Sequence, residues 1–459
     1  MGMSGMSGKK QILLNAFSMN SVGHINHGLW THPRDRSHEY KTLGYWTSLA
    51  RTLERGLFDG VFLADIVGVY DIYQNGVDLT LKESIQLPVN DPIPLVSAMA
   101  AVTDNLGFGV TVNLSSEAPY IFARRMSTLD HLTDGRIGWN IVTGYLDSAA
   151  HALGLDAQRE HDDRYDRADD YLDVLYKLWE GSWDDDAVAL DKTARIYADP
   201  SKVRSIHHDG PFYKSHGYHL AEPSRQRTPV LYQAGTSGRG RKFAARHAEC
   251  VFIGGSDKQA ARAISDALRA EVVAAGRSPD DIKIFIGLTV VCDRTEALAQ
   301  EKYAAYRRYA NPEAGLAHFS AGSGMDFSKF ELDEVISYGP TNAIQSVTAL
   351  AQQKGWTKRQ LLGELAIGGR YPLIVGDPDH VAKEMSSWID EAGIDGFNLT
   401  RTVSPESFED FVELVVPALQ ERGVYKTAYG HGSLRSRLFG SGDRLPEQHV
   451  AATFRAHNC

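Results

Sequence analysis

Cysteine is scarce in this chain. Three residues in 459, Cys250, Cys292 and Cys459, form an odd set with no C-x-x-C pair, which excludes a disulfide framework and a cysteine zinc site and fits a reducing, cytoplasmic setting. Long apolar runs are missing as well. No stretch of about 18 apolar residues occurs, and residues 1–10 are rich in Gly, Ser and Met without an apolar segment, so neither a membrane span nor an export signal is expected. Positive charge is in deficit: 48 Lys and Arg against 58 Asp and Glu leave a net −10 with His neutral, and the densest basic cluster is Arg239, Arg241 and Lys242. A nucleic-acid backbone needs a wider cationic face, so nucleic acid is not an expected partner. The Walker A loop, the G-x-G-x-x-G fingerprint and the H-E-x-x-H zinc motif are absent too.

What is present is ordinary globular material, 43% hydrophobic and 23% charged, in a length that admits one to three domains. Short apolar runs alternate with amphipathic runs of helical period, the pattern of repeated βα units. Eight runs predict strands: 11–19, 60–65, 106–114, 137–143, 229–235, 250–255, 282–292 and 396–403. Trp46, Leu49, Ala50 and Leu53 repeat at helical spacing with Gly56 to end the helix, and Ala168, Leu172, Leu175 and Trp179 do the same after the fourth run. Asp377-Pro378 is an N-cap followed by Pro at the first helical position. Eight strands favour a (β/α)8 TIM barrel over a doubly wound sheet. The chain is read as one such domain over 1–459, with insertions at about 182–228 and 307–373, both expected near the barrel mouth, and a polar tail from about 423 that wraps a surface or a neighbouring subunit.

Barrel chemistry sits where strands end, so the residues just after each run are the candidates. After the first come His24, His27 and His32, which suit substrate or cofactor contact, a structural cluster or, less well at this spacing, a metal. The second run ends on Asp65, a carboxylate at an apolar mouth or a turn cap, and Thr111 in the third is an inward hydroxyl or a β-branched filler. After the fifth, Gly235-Thr236-Ser237-Gly238-Arg239-Gly240 opens a helix, whose free N–H groups and dipole favour a phosphate. With both nucleotide motifs absent, that phosphate belongs to a mononucleotide cofactor or a sugar phosphate. His161 and Tyr165, at the start of the helix after the fourth run, are within reach of the same group or face solvent.

Several segments in one order carry a resemblance. Asn15-Ala16-Phe17, Gly23-His24, Phe62-Leu63-Ala64-Asp65, Arg125-Met126-Ser127-Thr128-Leu129-Asp130, Trp139-Asn140-Ile141-Val142-Thr143, His161-Asp162-Asp163-Arg164-Tyr165 and Gln233-Ala234-Gly235 resemble the bacterial luciferase-like flavin monooxygenases. Within that superfamily they are similar to the nitrilotriacetate, pristinamycin and dibenzothiophene sulfone monooxygenase group, and to its alkane- and sulfide-oxidising members above all.

The resemblance implies a luciferase-like (β/α)8 barrel with insertions. It implies a two-component enzyme that takes FMN as FMNH2 from a separate NAD(P)H-dependent flavin reductase and, through a flavin C4a-(hydro)peroxide, inserts one atom of O2 into a small or apolar organic substrate. It also implies a homodimer or homotetramer. Carried over position by position, the cofactor residues are Asp65, Thr111, Thr143, Gly144, His161, Tyr165, Ala234, Gly235 and Ser237, with no metal. His24 and His318 are expected nearest the reacting oxygen, with Tyr70 and Gln86 on the substrate side. The chain departs from the alkane-oxidising members at Ser21, Gly144 and Tyr145, where they carry cysteine, serine and histidine, and a bulky Tyr145 turned inward shortens the pocket. Two other readings stay open on the residues alone: a divalent-metal barrel hydrolase using His24, His27 and Asp65, and a luciferase-like barrel that binds flavin without catalysis.

Overall fold

The computed structural model describes residues 9–455 except 236, 256, 337–343, 345–354 and 370, so Thr236, Cys459 and part of the 307–373 insertion lie outside the described residues. Thirteen strands follow one another among them: β1 (Leu13–Met19), β2 (Gly60–Ala64), β3 (Gly107–Asn113), β4 (Ile137–Val142), β5 (Val188–Asp191), β6 (Ile196–Ala198), β7 (Ile206–Asp209), β8 (Lys214–Gly217), β9 (Val230–Ala234), β10 (Cys250–Ile253), β11 (Lys283–Cys292), β12 (Leu373–Gly376) and β13 (Gly396–Thr400). Eight of them pair in parallel in the order β1-β2-β3-β4-β9-β10-β11-β13, and β13 pairs back with β1, closing a (β/α)8 barrel. Each of the eight expected runs is one of these strands, trimmed at one or both ends.

The strands are buried along nearly their whole length because helices cover their outer face and side chains fill the interior. Helix Leu43–Arg55 turns Trp46, Leu49, Ala50 and Leu53 inward and is capped by Thr42, which accepts from the Tyr45 N–H. Asp377 caps helix Pro378–Ala392 with Pro378 at its first position, as its dipeptide predicts. Inside the barrel, Phe17, Phe62, Tyr232 and Phe285 pack together, and Gly138 makes room for Tyr232: a Cβ there would lie 2.6 Å from its ring.

Three segments add to what was expected. Residues 182–228 follow helix His161–Tyr176 and form two small hairpins, β5–β6 and β7–β8, apart from the barrel sheet. Asp170 of helix His161–Tyr176 holds β7–β8 by accepting from the N–H groups of Phe212 and Tyr213 at 2.8 Å. The tail runs under the barrel: Leu434 and Leu438 of helix Leu434–Phe439 join the interior aromatic cluster from below. Between them Arg435 is 1% exposed and pairs with Glu249 at 2.6 and 2.8 Å, while donating to the carbonyls of Thr228 and Pro229. Lastly, β12 pairs with the upper end of β11, on the edge opposite β13.

Over the mouth, helix Pro312–Ser323 and residues Leu361 and Leu365 pack with Tyr70, Tyr73, Ile85 and Leu146 as a second apolar cluster. Among the described residues no helix is long and apolar enough to cross a membrane.

Candidate active site

Strand ends define a cavity of about 230 Å³ at the mouth. Asp65 follows β2, Thr111 lies in β3, Thr143 and Gly144 follow β4, and Ala234, Gly235 and Ser237 close β9 and begin the next helix. His161 and Tyr165 reach in from the first turn and a half of helix His161–Tyr176. All nine positions carried over from the resemblance as cofactor contacts thus line one cavity, although they are spread over 173 residues of sequence from Asp65 to Ser237 (237 − 65 + 1).

Each is held by a physical cause. Thr111 is 4% exposed and accepts from the Asn140 amide at 2.9 Å. Ser237 caps helix Gly238–His247 by accepting from the Gly240 N–H at 3.1 Å, and His161 Nε2 lies 3.3 Å from the Ser237 hydroxyl. A Cβ on Gly235 would stand 2.5 Å from Gln233 Nε2 and 2.9 Å from the Tyr165 hydroxyl, so a side chain there would push these two polar ends out of their present positions. Burial raises the Asp65 carboxyl to about 6 against the Ile66 N–H that favours its charged form, and burial also raises the Tyr165 phenol.

The sequence reading missed other members of the wall. Ile66, Val67, Ile141, Val142 and Ile344 make it apolar, and Asn113, Arg164 and Gln233 add polar groups. Gln233 is 2% exposed, and its Oε1 has no hydrogen-bond partner in the structure, an acceptor aimed at something the protein alone does not supply. Gln233 stood inside a quoted segment, so its strand-end position was the available signal. Arg239, the first arginine of the glycine-rich turn, is engaged with Asp166 and Asp169 at 2.8 and 2.5 Å.

His24, His318, Tyr70 and Gln86 do not line this cavity; they lie beside it, His24 in the loop after β1 and Tyr70 within the apolar cluster of helix Pro312–Ser323. His27, not His24, meets His318, Nε2 to Nδ1 at 3.0 Å, and Tyr70 stacks on His318 with ring centroids 5.0 Å apart. Tyr145 joins the two compartments. It lines the cavity, and its hydroxyl donates to Tyr70 at 3.4 Å; Tyr70 donates to Gln86 at 2.7 Å, and Gln86 donates to the His24 carbonyl at 3.2 Å. Burial lowers His27 to about 4, and burial first, then Arg401 and the neighbouring histidines, lower His24 well below the usual histidine range. Both are therefore neutral at pH 7.

The metal arrangement is not assembled. His27 spends one ring nitrogen on His318, Asp65 faces the separate cavity, and among the described residues no three His, Cys, Asp or Glu side chains gather to hold an ion.

The family model for luciferase-like monooxygenases matches residues 25–396. The chain belongs to that family. This luciferase-like monooxygenase is 48% identical over 452 residues to the dimethyl-sulfide monooxygenase of Hyphomicrobium sulfonivorans, covering 97% of this chain and 94% of that one. It is 50% identical over 448 residues to the long-chain alkane monooxygenase of Geobacillus thermodenitrificans strain NG80-2, covering 97% and 98%. A crystal structure of long-chain alkane monooxygenase superposes with a TM-score of 0.92 at 49% identity, over 97% of this chain and 100% of that one. A riboflavin lyase crystallised with modified FMN and riboflavin superposes equally well, TM-score 0.92 at 40% identity, with the same coverage.

Proposed function

We propose that this monooxygenase is the oxygenase component of a two-component system: it takes reduced FMN from a separate NAD(P)H-dependent flavin reductase and transfers one atom of O2 to a small apolar organic molecule, an organic sulfide in preference to a long alkane. In this reading it works in the cytoplasm as a homodimer or homotetramer. One observation carries it: nine positions expected to touch the flavin converge on a single cavity.

The residues present fit the cofactor. The orphaned Gln233 Oε1 offers an acceptor to a flavin N–H or ribityl hydroxyl, and the Gly235 backbone leaves a cradle that a side chain would fill. Ser237 and the first N–H groups of helix Gly238–His247 would hold the phosphate, where the helix dipole favours an anion. Bound reduced FMN supplies the two electrons that divide O2, one atom going to the substrate and the other to water. Ile66, Val67, Ile141, Val142 and Ile344 keep water from the reacting centre, which directs oxygen to the substrate rather than to hydrogen peroxide.

Identity does not separate the sulfide- and alkane-oxidising relatives, 48% against 50%. Tyr145 favours the smaller substrate: it lines the cavity and its hydroxyl is held by Tyr70, so its ring takes up room at that end of the pocket. His24, whose Nδ1 is buried without a partner, Tyr70, Gln86 and His318 then act from behind Tyr145, turning its O–H toward Tyr70 and leaving the oxygen's lone pairs as an acceptor at the substrate side.

The test is an anaerobic complex with reduced FMN mixed with labelled O2 and a panel of short sulfides, alkanes and sulfones. Expected is substrate-dependent suppression of peroxide release and one labelled oxygen atom transferred to a short sulfide. Flavin oxidation at its free-solution rate, with no substrate consumed, would overturn the reading.

A further inference from the structure

The hairpin β7–β8 turns one face to the protein and the other to solvent. Ile206 and His208 are buried, whereas His207, Asp209, Lys214 and His216 are exposed and share the outer face. His207 and His216 stand directly opposite each other in the register. At the turn the Gly210 N–H donates to the Tyr213 carbonyl at 2.9 Å, which makes Gly210 and Tyr213 a hydrogen-bonded pair. By alternation along the ladder, His207 and His216 are a non-hydrogen-bonded pair, the kind whose side chains come closest. The His207 carbonyl agrees, accepting from Lys177 Nζ at 2.9 Å rather than from β8.

The two imidazoles lie with ring centroids 5.5 Å apart and planes at 83°. Two histidines that share one tetrahedral ion, each nitrogen at about 2.0–2.1 Å from it, hold their centroids about 5 Å apart, so these rings need only tilt to meet one. Their nitrogens are not spent. His208, the hairpin's third histidine, commits Nε2 to Asp170 at 2.8 Å and Nδ1 to Lys177 at 3.2 Å, whereas among the described residues the His207 and His216 rings have only each other. Asp209 is closed by Lys214 at 2.8 Å, which leaves this face without net charge and the other positions around an ion to water. Imidazole ligands without a carboxylate suit Cu2+, Ni2+ and Zn2+, and not Mg2+ or Ca2+, which take oxygen. The place is separate from the cavity: Asp170, which fastens the hairpin, stands nine residues (170 − 161) beyond His161 on its helix, about 13 Å along the axis.

We propose that His207 and His216 bind a late first-row divalent cation, which clasps β7 to β8. Isothermal titration of the whole protein with NiCl2, and with MgCl2 as control, decides it in a non-chelating buffer, for wild type, His207→Asn, His216→Asn and the double variant, with circular dichroism to show that each is folded. Wild type is expected to bind Ni2+ at this pair and to leave Mg2+ unbound. Each single variant should lose Ni2+ affinity by at least about 10-fold, and the double variant by no more than about 2-fold beyond either, because one substitution already breaks the chelate. Amide hydrogen exchange across β7–β8 should slow with Ni2+ in wild type alone, since an ion bound to the closed hairpin opposes its opening. Ni2+ taken up equally by wild type and the single variants would place the ion on other histidines and overturn the proposal. Losses that add between the two positions would do the same, because they describe two independent weak sites, and so would the absence of Ni2+ uptake by wild type.

Discussion

At the scale of the residue, Asp65 shows how burial writes a pH dependence into a site. Its carboxyl titrates at about 6 in the fold and at about 4 in the unfolded chain. Between those values the folded form holds a proton that the unfolded form has released, so Asp65 lowers stability as pH climbs through the window and leaves it lowered above 6. Asp65→Asn is expected to match wild type in thermal unfolding near pH 4 and to exceed it above pH 6, by on the order of 1 kcal/mol once partial exposure is discounted. Reduced-FMN affinity should also step near pH 6 in wild type and not in the variant, if the carboxylate meets the flavin. Tyr145 governs reach: Tyr145→Ala should raise kcat/KM for a long-chain sulfide relative to a methyl sulfide by roughly 10-fold, measured by competition, whereas an unchanged ratio would remove Tyr145 from the pocket wall. The cavity residues are named mainly through the resemblance, position by position; read alone, Asp65, Thr111, His161 and Tyr165 each keep a structural alternative, and only the glycine-rich helix start after β9 points by itself to a ligand. The placement of His24, His318, Tyr70 and Gln86 was not legible, because the side of Tyr145 on which they lie depends on how two distant loops pack, and no local pattern encodes that.

At the scale of the element, the eight barrel strands could be read from sequence because burial on both faces leaves continuous apolar runs. Strands β7 and β8, Ile-His-His-Asp and Lys-Ser-His-Gly, could not, since they are short, polar and apart from the barrel sheet. The floor helix was hidden for a different reason: in Leu434–Phe439 two leucines that fill the barrel are separated by arginines, so the segment looks like a surface turn. Its Arg435 replaces hydration with Glu249 and the backbone carbonyls of Gln226, Thr228, Pro229 and Asp443, an arrangement that is costly to break from one side. Arg435→Ala should lower the free energy of urea unfolding by about 3–5 kcal/mol, because Glu249 is left buried and unpaired, whereas Arg435→Met with Glu249→Leu should lose much less. Equal losses in the single and double variants would mean that the charge pair is not what secures the floor.

At the scale of the whole molecule, the histidines set the acid limit of the fold. His27, His219 and His247 are each lowered to about 4, chiefly by burial, and His24 and His449 lie well below their usual range. These five are spread from the mouth through the outer helices to the tail, so no single site answers for the effect. Folded, they stay neutral as pH falls below about 6.5, while in the unfolded chain they bind protons. Their contribution to stability is therefore complete above about 6.5 and is lost as pH falls toward 4, each histidine adding up to about 1.4 kcal/mol per pH unit to the slope. Asp65 opposes this between pH 6 and 4, as do Glu117, Asp130, Asp173 and Asp410, whose carboxyls burial also raises, so the histidines show most clearly above pH 6, before these acids titrate. Unfolding free energy should accordingly drop between pH 6.5 and 5. His27→Gln keeps a hydrogen-bonding partner for His318 but cannot take up a proton, so it should flatten that slope by about one proton's worth while leaving the value at pH 7.5 nearly unchanged. A His27→Gln slope equal to that of wild type would mean that His27 titrates alike in both states, and the buried pair beneath Tyr145 would have to be open to water.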